Sequence, residues 1–295
     1  IYDNINSVNL MKFLIRTVIL FMFLNLAVKA DSTETKRTFK PKKTTVFQDL
    51  GYDLKYFAID WGAFFAAPFS SSKNLIISSA VMGGTILSST IDKDVRKHFS
   101  VPGTEKYTGT FLDGPIAYGY VQYPSIFGGA LYTIGLLARE SELRKTGRML
   151  IQSLVYSGTV TMALRYATGR HRPFSSSGNQ YEFSWFNSAG DTQSFPSGHT
   201  VVAFASSTIL AEQIDTWWAR GILYSFAALT GYARLHYDKH WFSDIVFGAA
   251  LGFGSSMFVI HREREREKED KRKMKKGGGF SFSPTMNGIN ITYGF

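Results

Sequence analysis

Arg165-Tyr166-Ala167-Thr168-Gly169-Arg170-His171-Arg172-Pro173 follows directly on the apolar run Leu150 to Leu164. Together they read as the end of a helix, because Gly169 suits the left-handed turn that stops one and Pro173 prevents its resumption. The run itself is too long for a strand and contains the Ala, Leu and Met that favour helices. The same reading extends outward to the stretches near Tyr56 to Phe69, Leu75 to Ile91, Ile126 to Ala138, Val201 to Ile214, Trp217 to Tyr232 and Ile245 to Ile260. The expectation is an all-α fold, a helical bundle.

The chain has 295 residues and a formal net charge of +10, and one apolar region spans most of it. A single helical domain over residues 51–260 is expected. Residues 1–10 have no targeting character and precede the first methionine, so they read as an upstream segment. Residues 11–30 read as a signal peptide: Met11 to Arg16 is basic, Thr17 to Val28 is apolar, and Val28-Lys29-Ala30 offers a cleavage site. Export to a bacterial periplasm or cell envelope follows. Residues 31–50 read as a flexible basic lead-in. Beyond Ile260 the alternating Arg and Glu suit an exposed helix or a solvated linker; with Gly277-Gly278-Gly279 they read as a charged and Gly linker over 261–279, and such a basic run can hold anionic lipid headgroups. Alternating residues on either side of Asn287-Gly288 predict a short C-terminal β-hairpin over 280–295.

A spanning helix wants about 20 mostly apolar residues. These runs are shorter and are interrupted by Gln152, Glu212 and Arg220, so a globular, membrane-associated form is expected, with an integral form as the alternative. The absence of cysteine rules out disulfides and thiol catalysis.

Three clusters carry chemistry. Cations near a helix C-terminus are favourable by roughly 0.3 to 1 kcal/mol, which accounts for one Arg. Arg165, Arg170, His171 and Arg172 together invite an anion. Pro196-Ser197-Gly198-His199 reads as a helix start, in which Ser197 can cap and Gly198 lets the backbone and its free N–H groups approach that anion. His240 and Asp244 are four residues apart, so one helical face would let the carboxylate hold one ring nitrogen and leave the other free. Arg234 lies six residues ahead of His240.

Arg165-x6-Arg172-Pro173, then Pro196-Ser197-Gly198-His199, then Arg234-x5-His240-x3-Asp244 match in order and spacing the pattern K-x6-R-P, P-S-G-H, S-R-x5-H-x3-D. The chain therefore resembles the type 2 phosphatidic acid phosphatase superfamily, which also contains bacterial class A acid phosphatases and vanadium haloperoxidases. Two residues depart: Arg165 stands where the family usually has Lys, and Ala233 where it usually has Ser. Arg for Lys keeps the charge but widens the donor fork.

A transferring phosphoryl group spreads negative charge over its equatorial oxygens. Arg165, Arg172 and Arg234 can meet it with charge-assisted hydrogen bonds of about 1.5 to 3 kcal/mol each, and Ser197 with the Gly198 N–H completes the cradle. The resemblance implies that His240 attacks phosphorus to give a phosphohistidine, with Asp244 orienting the ring. It implies that His199 protonates the leaving alkoxide and later activates water. The expected activity is a metal-independent phosphomonoester phosphatase with no cofactor. A vanadium-dependent haloperoxidase and a non-catalytic phosphate or lipid-headgroup binder stand as alternatives. The substrate is a phosphate ester, soluble or a membrane lipid such as phosphatidic acid, and no nucleic-acid partner is expected. Loop 174–195 joins the first two clusters and carries Tyr181, Phe183, Trp185 and Phe186, which can contact the leaving group or pin the loop.

Overall fold

The structure, a computed structural model, describes residues 45–101, 111–276, 280–285 and 288–293. The upstream segment, the signal peptide and most of the basic lead-in lie outside the described residues. Among these residues the fold is carried by nine α-helices: α1 (Val46–Ala66), α2 (Ser72–Ser89), α3 (Asp92–Phe99), α4 (Asp113–Tyr118), α5 (Gln122–Ala138), α6 (Ser141–Thr168), α7 (Gly198–Ile214), α8 (Trp217–His236) and α9 (Phe242–Lys276).

Local chemistry sets the ends of these helices. Thr45 and Gln48 form a capping box at the start of α1, which therefore begins inside the stretch expected to be flexible. Ser71 caps α2 by accepting from the Asn74 N–H. Short α3 has Asp92 and Asp94 in its first turn and Arg96, Lys97 and His98 in its last, each sign matching the helix dipole. Helix α6 stops at Gly169, φ 51°, as its sequence predicts. A Cβ there would collide with the Ser184 carbonyl, so glycine is required for the close approach as well as the turn.

Helices α6, α7 and α9 form the centre. Met149, Leu150, Leu154 and Tyr156 of α6 pack against Val202, Ala205 and Ile209 of α7 and Val259 and Ile260 of α9, with Phe57 and Phe64 of α1 over the edge. Burying a side chain such as Leu150, which is 0% exposed, contributes about 1.5 to 3 kcal/mol. A second cluster, Leu131, Leu143, Leu210, Ile214 and Leu223, joins α5 and α8 to α6 and α7. The helical bundle anticipated from the apolar runs is the observed architecture.

The charged stretch after Ile260 departs from the expected linker. It continues α9 without a break to Lys276. Arg148 of α6 meets Glu263 at 2.7 Å, Lys145 meets Glu267 at 2.9 Å, and Arg262 meets Asp60 of α1 at 2.9 Å. Arg266 is paired with Asp60 and, at 2.8 Å, with Glu263. The alternating charges thus have opposite charges waiting on α1 and α6, which turns a solvated pattern into a docked helix. Beyond α9 only backbone is described, as strands β1 (Phe280–Thr285) and β2 (Gly288–Tyr293) in antiparallel register with Phe282 opposite Ile291. The C-terminal hairpin as a stable unit stays an expectation.

Among the described residues one helix, over Phe242–Arg272, is long and apolar enough to cross a bilayer, and the bent pair Ser72–Ser89 with Asp92–Phe99 makes a second if it counts as one span.

Candidate active site

The end of α6, the start of α7, the end of α8 and the start of α9 converge, and Arg165, Ser197, Gly198, His199, Arg234, His240 and Asp244 lie at these ends. The connection between α6 and α7 returns on itself: Ser184 N–H donates to the Gly169 carbonyl at 2.9 Å, His171 N–H to Glu182 at 3.0 Å, and Ser194 N–H to Arg170 at 3.0 Å. Loop 174–195 is thereby stitched to the end of α6. Of its aromatics, Phe183 stacks on Trp185 and lies under the Arg170 guanidinium, whereas Trp185 and Phe186 are exposed.

Ser197 occupies the cap position of α7, but its hydroxyl is bonded to Thr200 Oγ1 at 2.9 Å and makes no capping bond. Its N–H donates to the Asp244 carbonyl at 3.1 Å, which fastens the start of α7 to the start of α9. Arg165 reaches across to the same turn, and its Nε and Nη2 donate to the Pro196 carbonyl at 3.2 and 3.1 Å. Arg172 donates from Nε to the Gly190 carbonyl at 3.1 Å. Arg234 is buried in the last turn of α8.

His240 and Asp244 do not share a helical face, because α9 begins only at Phe242. His240 sits in the connection ahead of it. Asp244, in the first turn, reaches back to accept from the Trp241 N–H at 2.9 Å, as the third residue of a capping box does. The carboxylate lies 3.6 Å from His240 Nδ1, a charge contact, while the nearest acceptor of that nitrogen is the Ser194 carbonyl at 2.8 Å. A carbonyl only accepts, so the ring carries its proton on Nδ1 and presents Nε2 as a lone pair.

Asp244 is held by Ser194, which stood out in no motif, and by Arg170, which was expected to face an anion and instead binds this carboxylate. Its Oδ1 accepts from Arg170 Nη1 at 2.6 Å and its Oδ2 from the Ser194 hydroxyl at 2.5 Å. Arg170 also pairs with Asp92 of α3 at 2.7 Å, and Asp92 accepts from the Ser243 N–H at 2.8 Å and its hydroxyl at 2.6 Å. Arg170 stood out only as a member of the cation cluster at the end of α6. Asp92 is separated from it by 78 residues, and no sequence pattern announces a backbone carbonyl such as that of Ser194.

The electrostatics are those of a cationic pocket. Burial, then the charges of Arg234, His240, Arg165 and Arg172, push the His199 pKa down to about 2. His240 is pushed down to about 3 by burial, opposed by Asp244 and reinforced by Arg172 and Arg234. Burial raises Asp244, but Arg170, His240 and Ser194 outweigh it and bring its pKa to about 2. The Nε2 of His199 is buried without a hydrogen-bond partner. Two neutral imidazoles and three guanidinium groups brought together make a positive potential that favours an anion.

The PAP2 superfamily model matches residues 147–268. Lipid A 1-phosphatase of Porphyromonas gingivalis is 32% identical over 111 residues, which cover 36% of this chain and 22% of that protein. The chain therefore spans about a fifth of the length of this curated relative. Among solved structures, Aquifex aeolicus LpxE is similar with a TM-score of 0.38 and 20% identity, over 51% of this chain and 84% of that one. A transmembrane PAP2 type phosphatidylglycerolphosphate phosphatase from Bacillus subtilis is similar with a TM-score of 0.41 and 18% identity, over 72% of this chain and 95% of that one. The matched residues include all three clusters of the site, and over residues 147–268 the chain is similar to the PAP2 superfamily.

Proposed function

We propose that the chain is a membrane-associated lipid phosphatase that hydrolyses a phosphate monoester through a phosphohistidine on His240. The observation that carries this reading is the pairing of a lone-pair Nε2 on His240 with the buried, unpartnered Nε2 of His199 in one cationic pocket. A phosphate dianion would be met there by Arg165, Arg172 and Arg234 and by the Gly198 N–H at the start of α7.

His240 Nε2 attacks phosphorus in line, the bond from phosphorus to the leaving oxygen breaks, and the charge on the equatorial oxygens is taken up by the guanidinium groups. His199 gives its proton to the leaving alkoxide. Burial and the neighbouring cations depress its pKa; the substrate dianion neutralises those cations, so binding itself raises the affinity of His199 for the proton that it takes up and then donates. In the second step neutral His199 takes a proton from water, the hydroxide attacks phosphorus, and the bond to His240 Nε2 breaks. His240 returns to its starting tautomer.

A lipid leaving group is supported by the matched relative's name and by apolar side chains left exposed on α1 and α2. These include Leu54, Ile59, Trp61 and Phe65 on α1, and Ile76, Ile77, Ile86 and Leu87 on α2. Exposed apolar surface of this extent fits a bilayer partner. Residues 51–260 with the charged extension of α9 form the catalytic unit in this reading, residues 11–30 direct export to the envelope, and residues 280–295 form an accessory hairpin.

Phosphate release from phosphatidic acid in mixed micelles, beside release from a chromogenic soluble ester, tests the proposal. Turnover of the lipid that survives EDTA and is abolished in His240→Ala is expected. Full activity in His240→Ala would overturn the phosphohistidine, and turnover of the soluble ester alone would overturn the lipid substrate.

A further inference from the structure

We propose that Ser194 is a positioning residue for His240, and that a buried Asp92–Arg170–Asp244 relay holds Ser194 in place. The inference rests on His240 being the nucleophile. Three polar groups of Ser194 are committed at once: its N–H to the Arg170 carbonyl at 3.0 Å, its hydroxyl to Asp244 Oδ2 at 2.5 Å, and its carbonyl to His240 Nδ1 at 2.8 Å. The residue is 0% exposed, so no water competes for any of them. The carbonyl selects the tautomer with a free Nε2, and the hydroxyl fixes the carbonyl's position.

Arg170 differs in kind from the guanidinium groups of the cradle. A guanidinium has five N–H donors. Arg170 Nε donates to the Gln180 carbonyl, Nη1 to Ser243 Oγ and Asp244, and Nη2 to Asp92 and again to Gln180. Five bonds for five donors leave nothing for a substrate. Its chemistry is internal: one charge bridges two fully buried carboxylates, Asp92 and Asp244. The relay carries one net negative charge, opposite in sign to the ring charge that appears on His240 when Nε2 is phosphorylated and Nδ1 keeps its proton. Asp244 therefore acts on the ring's orientation mainly through Ser194, and on its charge across 3.6 Å.

Ser194→Ala keeps the size of the side chain and removes only the tie between hydroxyl and carboxylate. In the full-length protein kcat for phosphate release is expected to fall roughly 10- to 100-fold with KM within about twofold, since a mis-set tautomer impairs attack and leaves binding intact. Nitrogen-15 NMR of histidine-labelled protein, with His240 assigned by difference from His240→Ala, should show proton density moving from Nδ1 to Nε2. In an Asp244→Asn background, Ser194→Ala should cost less than threefold further, because the two act in one chain. Wild-type kcat in Ser194→Ala, a fall in kcat with Nδ1 still fully protonated, or full additivity with Asp244→Asn would each overturn the proposal. Arg170→Gln, if it folds, should reproduce the same NMR change. Failure of the parent reading looks different: His240→Ala would then retain activity, whatever Ser194→Ala does.

Discussion

Arg165 and Gly198 fit each other: a Cβ placed on Gly198 would lie 2.7 Å from Arg165 Nη2. The guanidinium occupies the space that any other residue at 198 would claim, while bonding the Pro196 carbonyl two residues earlier. Gly198→Ala must push Arg165 out of the cradle, so phosphate-ester KM and the inhibition constant for inorganic phosphate should both rise roughly tenfold or more, the worth of one charge-assisted hydrogen bond. Steady-state kinetics with phosphate as competitor measures it, and unchanged constants would show that Arg165 does not contact the ligand.

Arg165 also explains its own departure from the usual Lys. Its fork spends Nε and one Nη on the Pro196 carbonyl, and in the proposed function Nη1 meets the anion, a division that a single ammonium at the end of a flexible stem makes poorly. Arg165→Lys should keep measurable turnover, raise KM a few-fold, and lower the unfolding free energy by about 1 kcal/mol for the lost turn contact. Kinetics and thermal unfolding on one preparation separate the two effects.

The neutral imidazoles set a pH dependence of stability. Both His199 and His240 have folded pKa values, about 2 and about 3, below the ordinary value near 6.5. Below pH about 6.5 the unfolded chain takes up protons that the native pocket refuses, so stability falls as pH drops through that value toward 3, by up to about 1.4 kcal/mol per unit for each histidine. Above pH 7 the contribution is complete and flat. Unfolding at pH 7, 6 and 5 should show the decline, a saturating phosphate analogue should reduce it, and His240→Gln should roughly halve it. A flat profile would mean that the imidazoles are already charged.

The helical core and the gathering of the candidate residues at one junction were legible because both rest on local signals. Apolar runs with Gly169 and Pro173 at the end mark a helix, and Arg165, Arg172, Ser197, His199, Arg234, His240 and Asp244 sit at fixed spacings near helix ends. What was not legible depends on distance along the chain or on backbone groups. Asp92 reaches Arg170 only because α3 folds over the start of α9, and the Ser194 carbonyl reaches His240 only because loop 174–195 returns to α6. The i, i+4 spacing of His240 and Asp244 suggested a shared helix face, but the Asp244 carboxylate that caps the Trp241 N–H fixes the helix start after His240. The charged run past Ile260 misled for a related reason: alternating Arg and Glu look solvated until Asp60, Arg148 and Lys145 are seen facing them.

That docking carries the last prediction. Asp60 is 1% exposed and takes both Arg262 and Arg266, while Arg266 is itself 7% exposed. Removing Asp60 leaves Arg266 with Glu263 as a remaining partner, so the cost falls short of the about 3 to 5 kcal/mol of a wholly uncompensated buried charge, whereas replacing both partners by apolar residues of similar volume is often neutral. Asp60→Ala should therefore lower the unfolding temperature and leave kcat of the folded fraction unchanged, since the pair lies away from the phosphate cradle. Asp60→Leu combined with Arg266→Met should recover most of the loss. If α9 beyond Ile260 were a free linker, neither change would move the unfolding temperature, and truncation after His261 would be equally silent.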